Sequence, residues 1–480
     1  MHNSVLSKLY RSPTMMTWAN LLSKTIGLAL LLPLILSSFP ENDIILWYVL
    51  TTMVGIGLLF DLGFTPTFVR FVAYANSGAS IEQMSQITKR LELEKKEGPN
   101  VGGLDLVFKI IDKNYIVLSL LAFVSLLCFG SFLVAKPITQ STNSMEGWLS
   151  WLIVSATTSF LLFGNKYVAI LQGMKRIADN QRVMMFSSIL ATLTASLALI
   201  LDANLLLVIA LYQSITACSV FFNRRLAIKE MGVLNHSAER NLSVSSEIEI
   251  TKLKQVIFSS VWKSAIGILM SVGLIHLSGI AAANYLSVAD AAMYLLALQL
   301  IRAISSFSQA PFYTKIPQLA GYYANNKIVS LNQLAFNAEL KSLAFFTLAC
   351  LLVGLSFPFA EEIFNLNTSL PDAVLWLLLS LGILIERAGA MHIQIYSLTN
   401  KIVWHYVNGI TGICMIVMFL LFINRLGMIA FPLSLLISYT LFYFPISSYL
   451  AVNVVGKHYV IKQSGLLLLC SLFLFLLLLT

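Results

Sequence analysis

Four basic residues stand inside long apolar runs: Lys24, Lys166, Lys263 and Arg387. A charged side chain at the centre of a bilayer costs at least about 2.5–3.5 kcal/mol, so such a group faces a bundle interior or a wet cavity rather than lipid. Lysine and arginine are the natural partners of carboxylate and phosphate. Four cations on separate runs therefore read as a cavity that receives an anion. Arg70 and Lys315, after the second and eighth runs, complete the candidate substrate-binding set. Asp290 lies about seven to ten residues into the eighth run with no other charge near it in sequence, and Asp61 lies at the end of the second. Either carboxyl is a candidate coupling-ion residue.

Each of these residues has a plainer reading. Lys24 and Lys263 lie about seven residues from the ends of their runs, roughly 10 Å, a distance a long lysine covers by snorkelling. Lys166 is in a similar position. Arg387 is mid-run, and its neighbour Glu386 is expected to point elsewhere around the helix. Asp61 precedes Gly63 and Pro66, where helix termination accounts for it equally well. His276, His392 and His405 have no ligand spacing, so no metal or other cofactor is expected.

The elements that must position these groups are set by composition. The chain has 480 residues, 58% of them hydrophobic and 11% charged, with a mean hydropathy of +0.82. Soluble domains carry roughly 25% charged residues, and a helix needs ~20 apolar residues to cross the hydrocarbon. Such runs recur at 17–39, 44–62, 114–135, 148–172, 183–202, 204–223, 256–275, 280–303, 342–360, 373–398, 402–423 and 426–450. The expected fold is an all-α polytopic membrane protein of about 12 transmembrane helices. A Leu- and Phe-rich stretch at 465–480 is either a short thirteenth span or an interfacial tail. All seven tryptophans fall near the ends of runs, the headgroup zone their rings favour.

With the N-terminus on the cytoplasmic side, Lys136 and Arg425 are the only bases on external loops, while those loops carry Glu41, Asp43, Glu146, Asp202, Glu361, Glu362 and Asp372. The positive-inside rule selects that orientation. The net charge of +9 is then a property of the membrane surface, not of nucleic-acid binding. The first run reads as a signal-anchor. The five cysteines lie singly within apolar runs, without disulfide or metal spacing. No GxGxxG, P-loop, HExxH or GxSxG motif occurs, and the external loops are short, so an enzyme is not expected.

The halves resemble each other. Trp18 and Lys24-Thr-Ile-Gly27 in the first run match Trp262-Lys263-Ser-Ala-Ile-Gly267 in the seventh. Pro66-Thr-Phe-Val-Arg70 and Tyr74-Ala-Asn76 match Pro311-Phe-Tyr-Thr-Lys315 and Tyr323-Ala-Asn325. Six spans in each half preserve orientation, which makes the repeats parallel. The resulting division is an N-terminal lobe at 1–235, a C-terminal lobe at 250–455 and a tail or short helix at 456–480. The hydrophilic stretches at 76–113 and 224–255 read as solvated helix and linker. Transporters of this design bind substrate between repeats, with Lys24 and Lys263 flanking the cytoplasmic mouth. Asn20, Asn165, Gln172, Gln213, Asn284, Tyr294, Gln299 and Tyr396 are candidates to line a wet lumen.

Phe60-Asp-Leu-Gly-Phe64 followed by Phe71-Val-Ala-Tyr74, and Gln309-Ala-Pro-Phe-Tyr-Thr-Lys-Ile-Pro317, resemble the signatures of Wzx-type polysaccharide flippases. That family shares a superfamily with MATE drug exporters and the lipid II flippases. The resemblance implies a MATE-like fold and translocation of undecaprenyl-pyrophosphate-linked oligosaccharide across the bacterial inner membrane, for O-antigen or other surface polysaccharide. It also implies alternating access, proton or cation antiport, and a polysaccharide polymerase and chain-length regulator as partners alongside membrane lipids. A MATE-type multidrug or cation antiporter and a membrane-embedded polysaccharide polymerase are the alternatives. The long first hydrophilic stretch and the C-terminal run depart from the simplest twelve-span pattern.

Overall fold

The computed structural model describes residues 12–78, 99–236, 247–364, 369–399 and 403–479. Every regular element among them is helical. The first half comprises α1 (Pro13–Ser38), α2 (Glu41–Leu58), α3 (Phe64–Asn76), α4 (Val101–Ser125), α5 (Ser131–Gln140), α6 (Ser144–Gly173), α7 (Ile177–Ile200) and α8 (Leu205–His236). The second comprises α9 (Glu247–Ile268), α10 (Leu274–Tyr285), α11 (Val288–Ser308), α12 (Ala310–Tyr313), α13 (Ile316–Ala324), α14 (Ile328–Phe364), α15 (Ala373–Ser397), α16 (Trp404–Leu426), α17 (Ala430–Ser438) and α18 (Phe444–Val455). A last helix, α19, covers Lys457–Leu474.

Among the described residues, twelve helical stretches are long and apolar enough to cross a membrane. The longest, Trp404–Val455, turns back on itself at Gly427, whose φ of 52° is open to glycine at little cost. Phe419 of α16 packs on Phe431 of α17 across that turn, their ring centres 4.7 Å apart.

The two halves repeat the same sequence of elements. In each, the second span ends in a break followed by a short amphipathic helix: Leu62 and Gly63, both at positive φ, precede α3, and α12 with Thr314 and Lys315 precedes α13. The third span is long in both halves, α4 with α5 in the first and α14 in the second. This is the parallel repeat expected from the matched motifs.

Several boundaries differ from those expected. The third span begins at Val101 rather than 114, with Asn100 accepting from the Gly103 amide at 2.9 Å as its cap. The ninth begins at Ile328 rather than 342. Hydropathy finds the apolar centre of a helix, and polar turns continue it unseen. The eighth begins at Val288, because α10 runs on to Tyr285 and Ser287 caps the next helix by accepting from the Asp290 amide at 3.2 Å.

Contacts divide the chain into two compact units. One holds residues 1–27, 53–132 and 145–265; the other holds 28–52, 133–144 and 266–480. The expected lobes divide the chain near 235–250, whereas the second half of α1, the start of α2 and most of α5 cluster with the second unit.

Inside the second unit, α15 is the most deeply buried span. Its Gly382 and Gly389 let neighbours approach closely: a Cβ at these positions would lie 2.3 Å from Leu435 and 2.7 Å from the Tyr443 ring. Small residues at such crossings are how helices pack in membranes, where lipid supplies no hydrophobic drive between them. Against α14, α19 runs parallel at a constant offset: Asn332 donates to the Val455 carbonyl, Phe336 meets Tyr459, and Gly354 faces Leu477. Two helices of the same direction start on the same side, so α19 is a further pass in the sense of α14. Lys136 Nζ donates to the Asn284 carbonyl at 2.5 Å, and Asn284 Nδ2 to the Leu133 carbonyl at 3.0 Å. Lys136, expected on a loop, is thus part of the helical α5.

Inside the first unit, α1 and α7 also run parallel. Asn20 donates to Gln181 at 2.7 Å, and seven residues on, Gly27 sits against Thr192.

Candidate functional site

The polar centre of the second unit is built from α10, α11, α15, α16 and two π-turns. A π-turn shifts the backbone ladder by one residue and is frequent at functional sites. The turn at Leu269–Gly273 joins α9 to α10, and that at Tyr439–Tyr443 joins α17 to α18. A small cavity is lined by Met270 and Ser271 from the first, Tyr439 and Tyr443 from the second, Glu386 from α15, and Asn408 and Thr411 from α16. Ser271 and Asn408 both donate to the Gly267 carbonyl, at 2.8 and 3.0 Å.

Arg387 is beside this cavity. Its Nε and Nη2 each donate to Glu386 Oε2 at 2.8 Å, and Nη1 donates to Gln309 Oε1 at 2.7 Å. The expectation that Glu386 points away from Arg387 is corrected here. Adjacent Cβ atoms diverge around a helix, but both side chains are long enough to curl and meet in front of it. Tyr439 interacts electrostatically with Glu386, Arg387 and a second arginine, Arg302.

Hydropathy alone ends the eighth run at 303, which sets Arg302 at the cytoplasmic edge. With the span at Val288–Tyr313 it lies near the middle instead, seven residues before Gln309 and so on the same face. It donates through Nη1 to His276 Nδ1 at 3.2 Å, and its buried Nη2 has no hydrogen-bond partner. Arg387 and three tyrosines, Tyr313, Tyr439 and Tyr443, thus gather around the buried Glu386, with Gln309 and Arg302 adjoining them. The sequence does carry a signal for this site: an arginine followed seven residues later by a glutamine within an apolar span.

In the first unit, two of the sequence-predicted residues belong to acid-centred networks. Asp61 Oδ1 accepts from Thr65 Oγ1 at 2.6 Å, Tyr115 OH at 2.8 Å and Asn165 Nδ2 at 3.5 Å, while Oδ2 accepts from the Thr65 amide at 3.0 Å. Its position at the break before α3 matches the helix-termination reading, and the donors around it suit a fixed carboxylate. Lys166 is buried and paired with Asp112 at 2.5 Å, with its ammonium 3.6 Å from the Phe163 ring centre. The stretch holding Asp112 reads in sequence as solvated helix and linker; the early start of α4 makes this acid part of the third span's helix.

Lys24 lies on the face of α1 that carries buried Asn20 and Gly27, yet its own side chain is exposed and has no partner among the described residues. The side chain of Lys263, on α9, lies outside the described residues. Arg70 is exposed with one contact to Thr67 at 3.4 Å, and Lys315 is exposed before α13. Asp290 does not lie deep in a span; it is in the first turn of α11, where a carboxylate complements the helix dipole. Tyr294, expected in a lumen, is buried and bonded to Ser278 at 2.8 Å. The described residues contain no group of three or more acids, histidines and cysteines able to hold a metal.

No protein-family model and no curated protein sequence matches the chain. Solved structures do. An inward-facing multidrug resistance MATE family transporter of the MOP superfamily aligns at 13% identity with a TM-score of 0.52, covering 95% of this chain and 98% of its own. A single-residue mutant of the MATE transporter VcmN from Vibrio cholerae aligns at 13% and 0.52, over 95% and 99%. A MATE in a bent conformation aligns at 12% and 0.52, over 97% and 98%. The chain has the MATE transporter fold over nearly its whole length.

Proposed function

We propose that the protein is a bacterial inner-membrane transporter that flips undecaprenyl-pyrophosphate-linked oligosaccharide, with its N-terminus cytoplasmic. The observation that carries this reading is the pair of intramembrane arginines, Arg302 and Arg387, that share Tyr439 as a neighbour in the core of one unit. Guanidinium groups recognise phosphate through paired, planar N–H bonds. The unpartnered Nη2 of Arg302 is a donor in search of an acceptor. Lys24 on α1, exposed and without a partner among the described residues, is a separate ammonium open to an anion.

The antiporter alternative has its own support: the solved structures of this fold include multidrug transporters, and Glu386 lines the cavity. Against cationic cargo stands the pairing of Glu386 with Arg387, which leaves no spare negative charge there. A flippase-deficient strain carrying this gene separates the two. Restored surface glycan, lost again with Arg302→Gln, supports the flippase; drug resistance without glycan supports the antiporter. A polymerase and a chain-length regulator are the partners such a flippase would feed.

A further inference from the structure

A carboxyl that plays no part in the site above is buried in the seam between α14 and α19. Glu339 is 0% exposed, and neither of its oxygens has a hydrogen bond of good geometry among the described residues. It lies eleven residues into α14, about 17 Å along the axis. Across the seam, the Tyr459 hydroxyl faces the carboxyl, close enough for an electrostatic interaction and a loose side-chain hydrogen bond that falls short of good geometry. One turn further along the same face of α19, Gln463 is 0% exposed with both amide atoms unpaired, and on α14 the Ser342 hydroxyl is buried and unpaired.

No base among the described residues neutralises Glu339. On α19, Lys462 is exposed with its ammonium 4.1 Å from the Phe336 ring, and Lys341 on α14 itself is exposed. From α15, Glu386 and Arg387 are bonded to each other and His392 to Ser448; from α11, Arg302 is bonded to His276. A buried carboxylate with no counter-charge is far costlier than a neutral carboxyl. A proton, unlike a metal ion, needs no cavity.

We propose that Glu339, with Tyr459 and Gln463, is a proton-binding site on the seam of the C-terminal helix, and that its loading and release couple transport to the proton gradient. Loaded, the carboxyl donates to one of the facing oxygens and the seam is neutral. Unloaded, the carboxylate requires water, so the proton leaves only when α14 and α19 part enough to admit it. The coupling step rests on the transporter reading above; the site itself does not.

The test uses the full chain in lipid nanodiscs and proteoliposomes. The infrared spectrum at pH 7 is expected to contain a protonated-carboxyl component that Glu339→Gln removes and Tyr459→Phe shifts. An unchanged spectrum in Glu339→Gln overturns the site. Export driven by an imposed pH gradient is expected to fall at least about tenfold in Glu339→Gln, to the rate without a gradient, with protein levels unchanged. Gradient-driven export at the wild-type rate overturns the coupling. If the wild-type protein flips no lipid-linked glycan, the functional reading falls while the infrared result still decides the site.

Discussion

Glu386 and Arg387, consecutive on α15, meet through two contacts of 2.8 Å to a single carboxylate oxygen, and Arg387 reaches Gln309 on another span with its remaining arm. Both side chains are mostly buried, at 17% and 16% exposure. Breaking a buried pair from one side leaves an uncompensated charge and costs about 3–5 kcal/mol, whereas removing both partners costs far less. Arg387→Gln alone should therefore lower thermal stability in detergent more than Glu386→Gln with Arg387→Gln together. A double variant no more stable than the single one would refute the pairing.

Arg302 should matter to export more than to folding. Its bond to His276 is a single contact, and Nη2 is unpaired. Arg302→Gln is expected to reduce surface glycan at least about tenfold, equal to roughly 1.4 kcal/mol, while leaving the protein in the membrane. Quantifying glycan against membrane-fraction protein checks this.

Lys166 and Asp112 differ in surroundings, with side chains 7% and 57% exposed. Asp112→Asn strands the buried ammonium; Lys166→Met leaves a carboxylate that stays largely solvated. The first change should lower the melting temperature by more than the second, as a thermal-shift assay on purified protein would show.

Much of the fold follows from apolar runs and motif pairs, because a span must present some twenty apolar residues whatever its partners. The ends of spans are harder to read. Between Ile280 and Met293 the sequence is apolar on both sides of a real helix boundary, so hydropathy shows no dip. Ser287-Val-Ala-Asp290, a Ser-x-x-Asp capping pattern, marks that boundary. Without that mark, both Asp290 and Arg302 fall at the wrong depth. The Glu386–Arg387 contact escapes for a different reason: helical spacing rules describe Cβ positions, and these side chains meet beyond them. Glu339 lies outside the apolar run because α14 starts at Ile328, well before its apolar centre suggests.

At Gly382 the nearest side-chain atom would lie 2.3 Å from an added Cβ, and the Leu436 backbone nitrogen 3.5 Å away. Gly382→Val should push α17 off α15 and lower stability by about 1–3 kcal/mol, the range for overpacked cores. Gly409, with nothing within 4 Å, should accept Ala with little change in melting temperature.

The parallel seating of α19 on α14 also bears on how the chain is laid across the two faces of a membrane. Two helices of one direction begin on one side and end on the other, and α14 and α19 share their direction. Residues near Leu479 therefore lie at the end of the bundle opposite the one where α14 begins. A reporter inserted just before Ile328 and one placed after Leu479 would sense different solutions, one reducing and one oxidising if the membrane is the bacterial inner membrane.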